Sequence, residues 1–382
     1  MSLSSSRRPL RSTFARVLSL SSMLSLTAGG SLVLTGCSDS TKPLVIGHRG
    51  ASALRPEHTL AAYRKAVEDG ADVIEPDLVP TKDGVLVARH ENEISGTTNV
   101  SEIARFADRK ATKMIDGVAV TGWFTEDFTL AELKELRARE RIPQFRPGNV
   151  QYNDQFEVPT LAEVIALAKE LSDSTGRTIH IYPETKHPTY FQNIGLAMED
   201  RLIADLNAND FTRSKATVFI QSFETANLKE LNQKIGGTRK NWKLVQLIDS
   251  AEKKPYDFVV AGDSRTYADL LTESSIKEIA TYADGVGPYK LNLINVDSAG
   301  AFQTPSPVIG FAHANNLIVH SWTFRPENNF LPAPLKTTGE PSTRHTSGSV
   351  TEIQKYLEAG LDGFFTDDPA VGRQAVDSFE KP

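Results

Sequence analysis

The 382-residue chain has a single cysteine, so no disulfide can form within it and stability must come from a buried core. With 40% hydrophobic and 24% charged residues, that core can be large. One domain of 250 residues or more is within reach, because α/β barrels commonly have that size. The charges lack any concentrated block of one sign, with 42 Lys and Arg set against 48 Asp and Glu. Nucleic acid is therefore not an expected partner. No G-x-G-x-x-G follows the first strand-like run, which leaves a doubly wound dinucleotide-binding sheet without its fingerprint. No internal repeat is present beyond an alternation of strand and helix patterns.

The one long apolar stretch is at the start. Arg7, Arg8, Arg11 and Arg16 form a basic segment without acids, and Val17 to Leu34 follows, apolar but interrupted by Ser, Gly and Thr. This is an export-signal pattern more than that of a membrane anchor. Its loss would make the remainder more acidic than the net −6 of the whole chain. Leu34-Thr35-Gly36 precedes Cys37. That sequence resembles the bacterial lipoprotein signal, in which cleavage before the cysteine is followed by lipid attachment to its sulfur. The resemblance implies that Ser38 permits sorting to the outer membrane of a Gram-negative cell. Ser6-Arg7-Arg8 carries the twin arginine of another export route without the rest of its pattern. The expected organisation is a signal over 1–36, a polar tether over 37–43 and a catalytic domain over 44–382. The protein is expected in the periplasm or cell envelope, touching a membrane only through a lipid on Cys37. An exported chain without disulfides is stable if its core is large.

After residue 43, strand-like apolar runs occur near 44–47, 73–78, 179–183, 217–221, 243–248, 284–287, 317–322 and 363–366. Helical patterns lie between most of them. Glu57 to Asp69 reads as a helix ending at Gly70, and Leu161 to Leu171 as one capped by Thr160 and Glu163. Another helix is expected near 129–140, and one over Ile353–Leu357 ending at Gly360. Eight strands alternating with helices argue for a TIM (β/α)8 barrel. Residues 91–158 interrupt the alternation after the run ending at His90 and read as an insertion over the catalytic face. Residues 326–348, rich in Pro, Thr, Ser and Gly, read as a loop on the same face.

Polar groups collect at the strand ends, where such barrels expose catalytic side chains. His48 and Arg49 follow Leu44-Val45-Ile46-Gly47. Glu75 and Asp77 are two apart, so on a strand they share a face, and two acids there repel unless a cation or proton separates them. Adding Glu184 gives an oxygen-only set suited to Ca²⁺ or Mg²⁺. His48 and His90 are the acid/base candidates, since histidine titrates near neutrality. Arg49 and Lys186 offer charge to a phosphate, or pair with the site's own acids. Gln221 and Trp322, at further strand ends, either belong to the core or line the substrate pocket. His58 reads as structural and close to the site. His180, His187, His313, His320 and His345 read as structural too.

His48-Arg49-Gly50-Ala51, Pro56-Glu57-His58-Thr59, Glu75-Pro76-Asp77-Leu78, Thr81-Lys82-Asp83-Gly84, Glu184-Thr185-Lys186, Gln221-Ser222-Phe223, Tyr282 to Pro288 and Phe365-Thr366-Asp367 occur in unbroken order. Together with His90 they resemble the glycerophosphodiester phosphodiesterase family, closest to its bacterial periplasmic or lipoprotein branch. The resemblance implies a TIM barrel that hydrolyses small-molecule glycerophosphodiesters, such as glycerophosphocholine or glycerophosphoethanolamine, to glycerol 3-phosphate and an alcohol. It implies that Glu75, Asp77 and Glu184 match the ligands of one divalent cation. By the same likeness His48 and His90 match the acid/base pair, Arg49 and Lys186 the phosphate-contacting cations, and 91–158 the insertion that caps the site. Many relatives carry Asn where His58 stands. Two competing readings keep the barrel. One is a phospholipase-type or inositol-directed phosphodiesterase, whose acyl-chain access would need an apolar rim from Trp123, Phe124, Phe128 and Phe145. The other is a surface binding module, which intact catalytic positions argue against.

Overall fold

Eight parallel strand positions close into a ring in the computed structural model, which describes residues 42–380 apart from 239. The signal over 1–36 and Cys37 lie outside the described residues. Position one is β1 (Leu44–Gly47). Position two is split into β2 (Val73–Ile74) and β3 (Asp77–Pro80), and β3 pairs antiparallel with β4 (Leu86–Ala88). A separate hairpin joins β5 (Ala111–Ile115) to β6 (Val118–Gly122). Position three is split into β7 (His180–Ile181) and β8 (Glu184–Thr185). The remaining positions are β9 (Val218–Ser222), β10 (Trp242–Ile248), β11 (Gly285–Pro288), β12 (Ile318–Phe324) and β13 (Gly363–Thr366). β13 pairs in parallel with β1 and completes the barrel.

Both splits contain a proline. Pro76 separates Glu75 from Asp77, and Pro183 precedes Glu184. Proline withholds an N–H from the ladder, so each strand breaks as it reaches the rim. The ladder resumes beyond the break with Asp77 directly opposite Glu184.

Side chains alternate between the barrel interior and the helices. Ile46, Val73, Tyr182, Phe219, Val245 and Phe365 fill the interior. Tyr182 stacks on Phe219 with ring centres 4.8 Å apart, and His320 Nδ1 lies 3.0 Å from the Tyr182 hydroxyl. The alternate residues Val45, Ile74, Ile181, Val218, Ile220 and Phe364 pack outward in a larger cluster with the helices. Continuing the interior parity toward and past the C-terminal ends of the strand positions yields His48, Glu75, Asp77, Glu184, Gln221, Trp322 and Asp367. The polar site thus stands on an apolar floor in the same register.

Helix Leu161–Thr175 has the Thr160–Glu163 capping box that the sequence implies and ends at left-handed Gly176. The first helix runs Leu60–Glu68, later than expected, because Thr59 caps it and Glu57 turns into the site. Helix Thr346–Glu358 begins before the expected 353. The expected helix over 129–140 is only Leu130–Leu133, despite a capping box of Thr129 and Glu132. Past it, Ala138 N donates to Phe156 O at 2.8 Å and Ala138 bridges Thr98, so tertiary pairing overrides local propensity. No helix among the described residues is long and apolar enough to cross a membrane.

Candidate active site

His48, Arg49, Glu75, Asp77, His90, Glu184, Gln221 and Trp322 line one cavity of about 400 Å³ at the barrel mouth. Lys186 lines its outward extension, which shares Arg49, His90, Glu184, Phe223 and Trp322 with the first. All nine residues expected at the site from the sequence therefore meet there. His90 arrives differently from the others. It follows β4, which folds back antiparallel on β3, so it comes from the return strand and not from a barrel strand.

Among the described residues, Glu75, Asp77 and Glu184 each present a carboxylate oxygen, all within 4.8 Å of one another. Each acid has a holder. Gln221 Nε2 donates to Glu75 Oε1 at 2.7 Å, and Arg49 N donates to its Oε2 at 3.1 Å. His58 Nε2 donates to Asp77 Oδ2 at 2.9 Å, and Lys186 Nζ lies 2.8 Å from Glu184 Oε1. His58 is fully buried, and its other ring nitrogen lies 2.7 Å from the Tyr63 hydroxyl, so it positions Asp77. Gln221 is committed first to a carboxylate.

The trio concentrates negative charge in a buried place. Burial, reinforced by Asp77 and Glu184, raises Glu75 well above the usual carboxylate range. Burial also raises Glu184 to about 7, against the pull of Lys186. Asp77 is held low despite burial, by His58, Lys186 and His90. Asp77 Oδ1 and Gln221 Oε1 are buried without a hydrogen-bond partner. An all-oxygen set with an orphaned carboxylate oxygen fits a hard divalent cation, which would let all three acids ionise together.

Both imidazoles are tied at Nδ1 to a carboxylate, which turns Nε2 toward the cavity, free of a side-chain hydrogen bond in His48 and facing Lys186 in His90. His48 Nδ1 donates to Asp367 Oδ1 at 2.5 Å. Burial lowers the His48 pKa to about 4, helped by Arg49 and opposed by Asp367. His90 Nδ1 is paired with Glu91, and its Nε2 lies 3.2 Å from Lys186 Nζ. Burial, Arg49 and Lys186 put the His90 pKa well below the usual histidine value. Arg49 Nη1 donates to Glu57 Oε2 at 3.2 Å, while its Nε has no hydrogen bond.

The sequence reading missed several supports. Asp367 is gripped by Arg146 and, at 2.8 Å, by Arg325 Nε. Arg146 Nε also donates to Glu327 at 2.7 Å, which ties the insertion to the 326–348 loop beside His48. Arg141 binds Glu57 and Glu91, both at 2.6 Å, and so links the holders of Arg49 and His90. Asp367 was detectable, since it continues the inward parity of β13 by one step. Arg141 and Arg146 come from irregular chain and carry no such signal. Trp123, Phe124 and Phe128 are buried and supply no exposed apolar rim for an acyl chain, while Phe145 is half-buried and lines a different cavity. Of the remaining histidines, His180 accepts from Thr217 N, His313 pairs with Asp362, and His187 reaches the outer cavity.

Residues 48–371 match the model of the glycerophosphoryl diester phosphodiesterase family. A glycerophosphodiester phosphodiesterase of Arabidopsis thaliana is 34% identical over 341 residues, covering 86% of this chain and 84% of its own length. Another, of Haemophilus influenzae, is 29% identical over 380 residues, covering 91% of this chain and 96% of its own. An Oleispira antarctica phosphodiesterase, whose structure is in complex with the product sn-glycerol-3-phosphate, shares the barrel at a TM-score of 0.54 and 18% identity. That likeness covers 88% of this chain and 98% of the other.

Proposed function

The chain belongs to the glycerophosphoryl diester phosphodiesterase family and is a phosphoric diester hydrolase, and we propose that it takes small glycerophosphodiesters and requires one divalent cation. Glycerophosphocholine and glycerophosphoethanolamine are its substrates, and glycerol 3-phosphate and the free alcohol its products. The observation that carries this reading is the trio Glu75, Asp77 and Glu184 within 4.8 Å, with two carboxylate-tied imidazoles on the same cavity. The oxygen-only set suits Ca²⁺ or Mg²⁺. A cation bound there would supply positive charge against the phosphate oxygens as negative charge develops.

The chain's own groups carry the proton transfers. His48, with Asp367 favouring its protonation, takes the proton from the glycerol hydroxyl next to the phosphate. That oxygen attacks phosphorus, and the bond to the alcohol breaks. His90 Nε2, protonated from Lys186 Nζ 3.2 Å away, gives that proton to the departing alcohol oxygen. Water then opens the cyclic phosphate to glycerol 3-phosphate, with the two histidines exchanging roles. A histidine pair of this kind contributes about 10²–10⁴-fold. Arg49, whose Nε lies 3.5 Å from Asp77 Oδ2, and Lys186 meet the phosphate charge. Trp322 donates its indole N–H to Gly287 O at 2.8 Å, so it offers the substrate its ring.

The test is release of glycerol 3-phosphate from glycerophosphocholine. Chelation, Glu75→Ala and His48→Ala should each abolish it in folded protein. Equal hydrolysis of a substrate lacking the free hydroxyl would replace the cyclic route with direct attack by water. Export and lipidation at Cys37 belong to the same proposal. Palmitate labelling of the chain in a bacterial host, lost in Cys37→Ser, checks them.

A further inference from the structure

The catalytic cavity does not end at the histidines. It opens outward into a larger pocket of about 1170 Å³, open to solvent, through a neck that includes His90, Phe223 and Trp322. The inner cavity, with the acidic trio and His48, has room for the glycerophosphate portion. The alcohol half of a diester must then extend past His90 into the outer pocket.

That pocket is aromatic on one side. Phe223 meets Trp322 edge-on with ring centres 5.6 Å apart and Tyr267 at 6.2 Å, and Tyr256 lines the outer part. Its charges are mostly matched. Lys253 pairs with Asp249 at 2.8 Å, His187 with Asp116 at 2.6 Å and Lys186 with Glu184 at 2.8 Å. Lys254 is exposed at the edge.

Glu224 is the exception. It lines the pocket and is only 3% exposed, yet no cationic side chain among the described residues pairs with it. Its oxygens accept only from the backbone N and the hydroxyl of Thr189. A carboxylate buried without a counter-charge is costly, and an arriving cation would remove that cost.

We propose that Glu224, with the ring of Trp322, makes the outer pocket a site for a cationic leaving alcohol, the Phe223 face already carrying Lys186 Nζ at 5.6 Å from its centre. The enzyme then prefers diesters of choline or ethanolamine over those of neutral polyols. Ammonium groups bind over aromatic faces, and a desolvated carboxylate adds a direct charge contact. Burial, together with Asp257 and Asp116, pushes Glu224 up to about 8, which agrees with a group awaiting a cation. The inference rests on the glycerophosphodiesterase reading above and specifies its leaving group.

The experiment compares kcat/KM for glycerophosphocholine and glycerophosphoglycerol, with Mg²⁺ or Ca²⁺ supplied, in the wild type and in Glu224→Gln. The wild type should favour the choline diester by about tenfold or more, and the variant should lose about tenfold of that ratio. Equal kcat/KM for both diesters in the wild type, or an unchanged ratio in the variant, overturns the preference alone. No turnover of either diester overturns the underlying reading and the preference with it. Should Glu224→Gln fail to fold, choline and its neutral isostere 3,3-dimethylbutan-1-ol are compared as inhibitors of the wild type. Inhibition by choline at a concentration about tenfold lower supports the site, and equal inhibition overturns it.

Discussion

His58 shows how much of the site lies behind the side chains that face the substrate. It is fully buried, spans from the Tyr63 hydroxyl to Asp77, and fixes the carboxylate that still has an orphaned oxygen. Partners of this kind are worth about 10–100-fold in metal affinity. His58→Ala should therefore weaken divalent-cation binding by about that factor in calorimetric titration while the chain still melts cooperatively. Unchanged affinity would reduce His58 to a packing residue. Protons compete with the cation at the same acids. Glu184, raised to about 7 by burial, keeps its proton below that pH and must release it when a cation binds. Affinity should rise with pH by up to about tenfold per unit for each ligand acid that still holds its proton, and the contribution of Glu184 should end above about 7. A flat profile between pH 5.5 and 8.5 would show that Glu184 is not a ligand. At this scale the acids and imidazoles were legible because strand alternation carries them inward at the strand ends. Asp367 obeys the same rule one step past β13. The arginines that hold these groups lie in loops, where no period marks which way a side chain points.

Elements outside the barrel wall brace the site. Arg146, from the insertion, reaches Asp367 behind His48 and Glu327 in the 326–348 loop, and all three are buried. Removing one partner of a buried charge network leaves the others uncompensated, at roughly 3–5 kcal/mol. Arg146→Ala should lower unfolding free energy by about that amount in urea titration, with a loss of turnover as His48 loses its anchored carboxylate. A loss under about 1 kcal/mol would mean that Arg325 suffices alone to hold Asp367. From the sequence, 91–158 and 326–348 are expected over the catalytic face, and Arg146 and Glu327 from these segments meet beside Asp367. The sequence reading overestimated the helix at 129–140, where a sound capping signal was outweighed by pairing of residue 138 with distant chain. Capping at Thr160 was legible because its partner Glu163 lies one turn away and needs no distant chain.

At the scale of the whole molecule, eight apolar runs became eight parallel strand positions, a topology that short runs separated by helical patterns specify well. The breaks at Pro76 and Pro183 are visible in the sequence as prolines. Their consequence, Asp77 opposite Glu184 on neighbouring strands, depends on a register that only the closed barrel sets. The barrel thereby places three acids from two strand positions around one point, and this arrangement is the basis of the proposed activity. It is tested most directly by glycerol 3-phosphate release from glycerophosphocholine, in protein stripped of divalent ions and again after Mg²⁺ or Ca²⁺ is restored. The account predicts no turnover in the stripped enzyme and recovery on addition of the cation, with Glu75→Ala inactive in both states. Undiminished turnover in the stripped protein would contradict it.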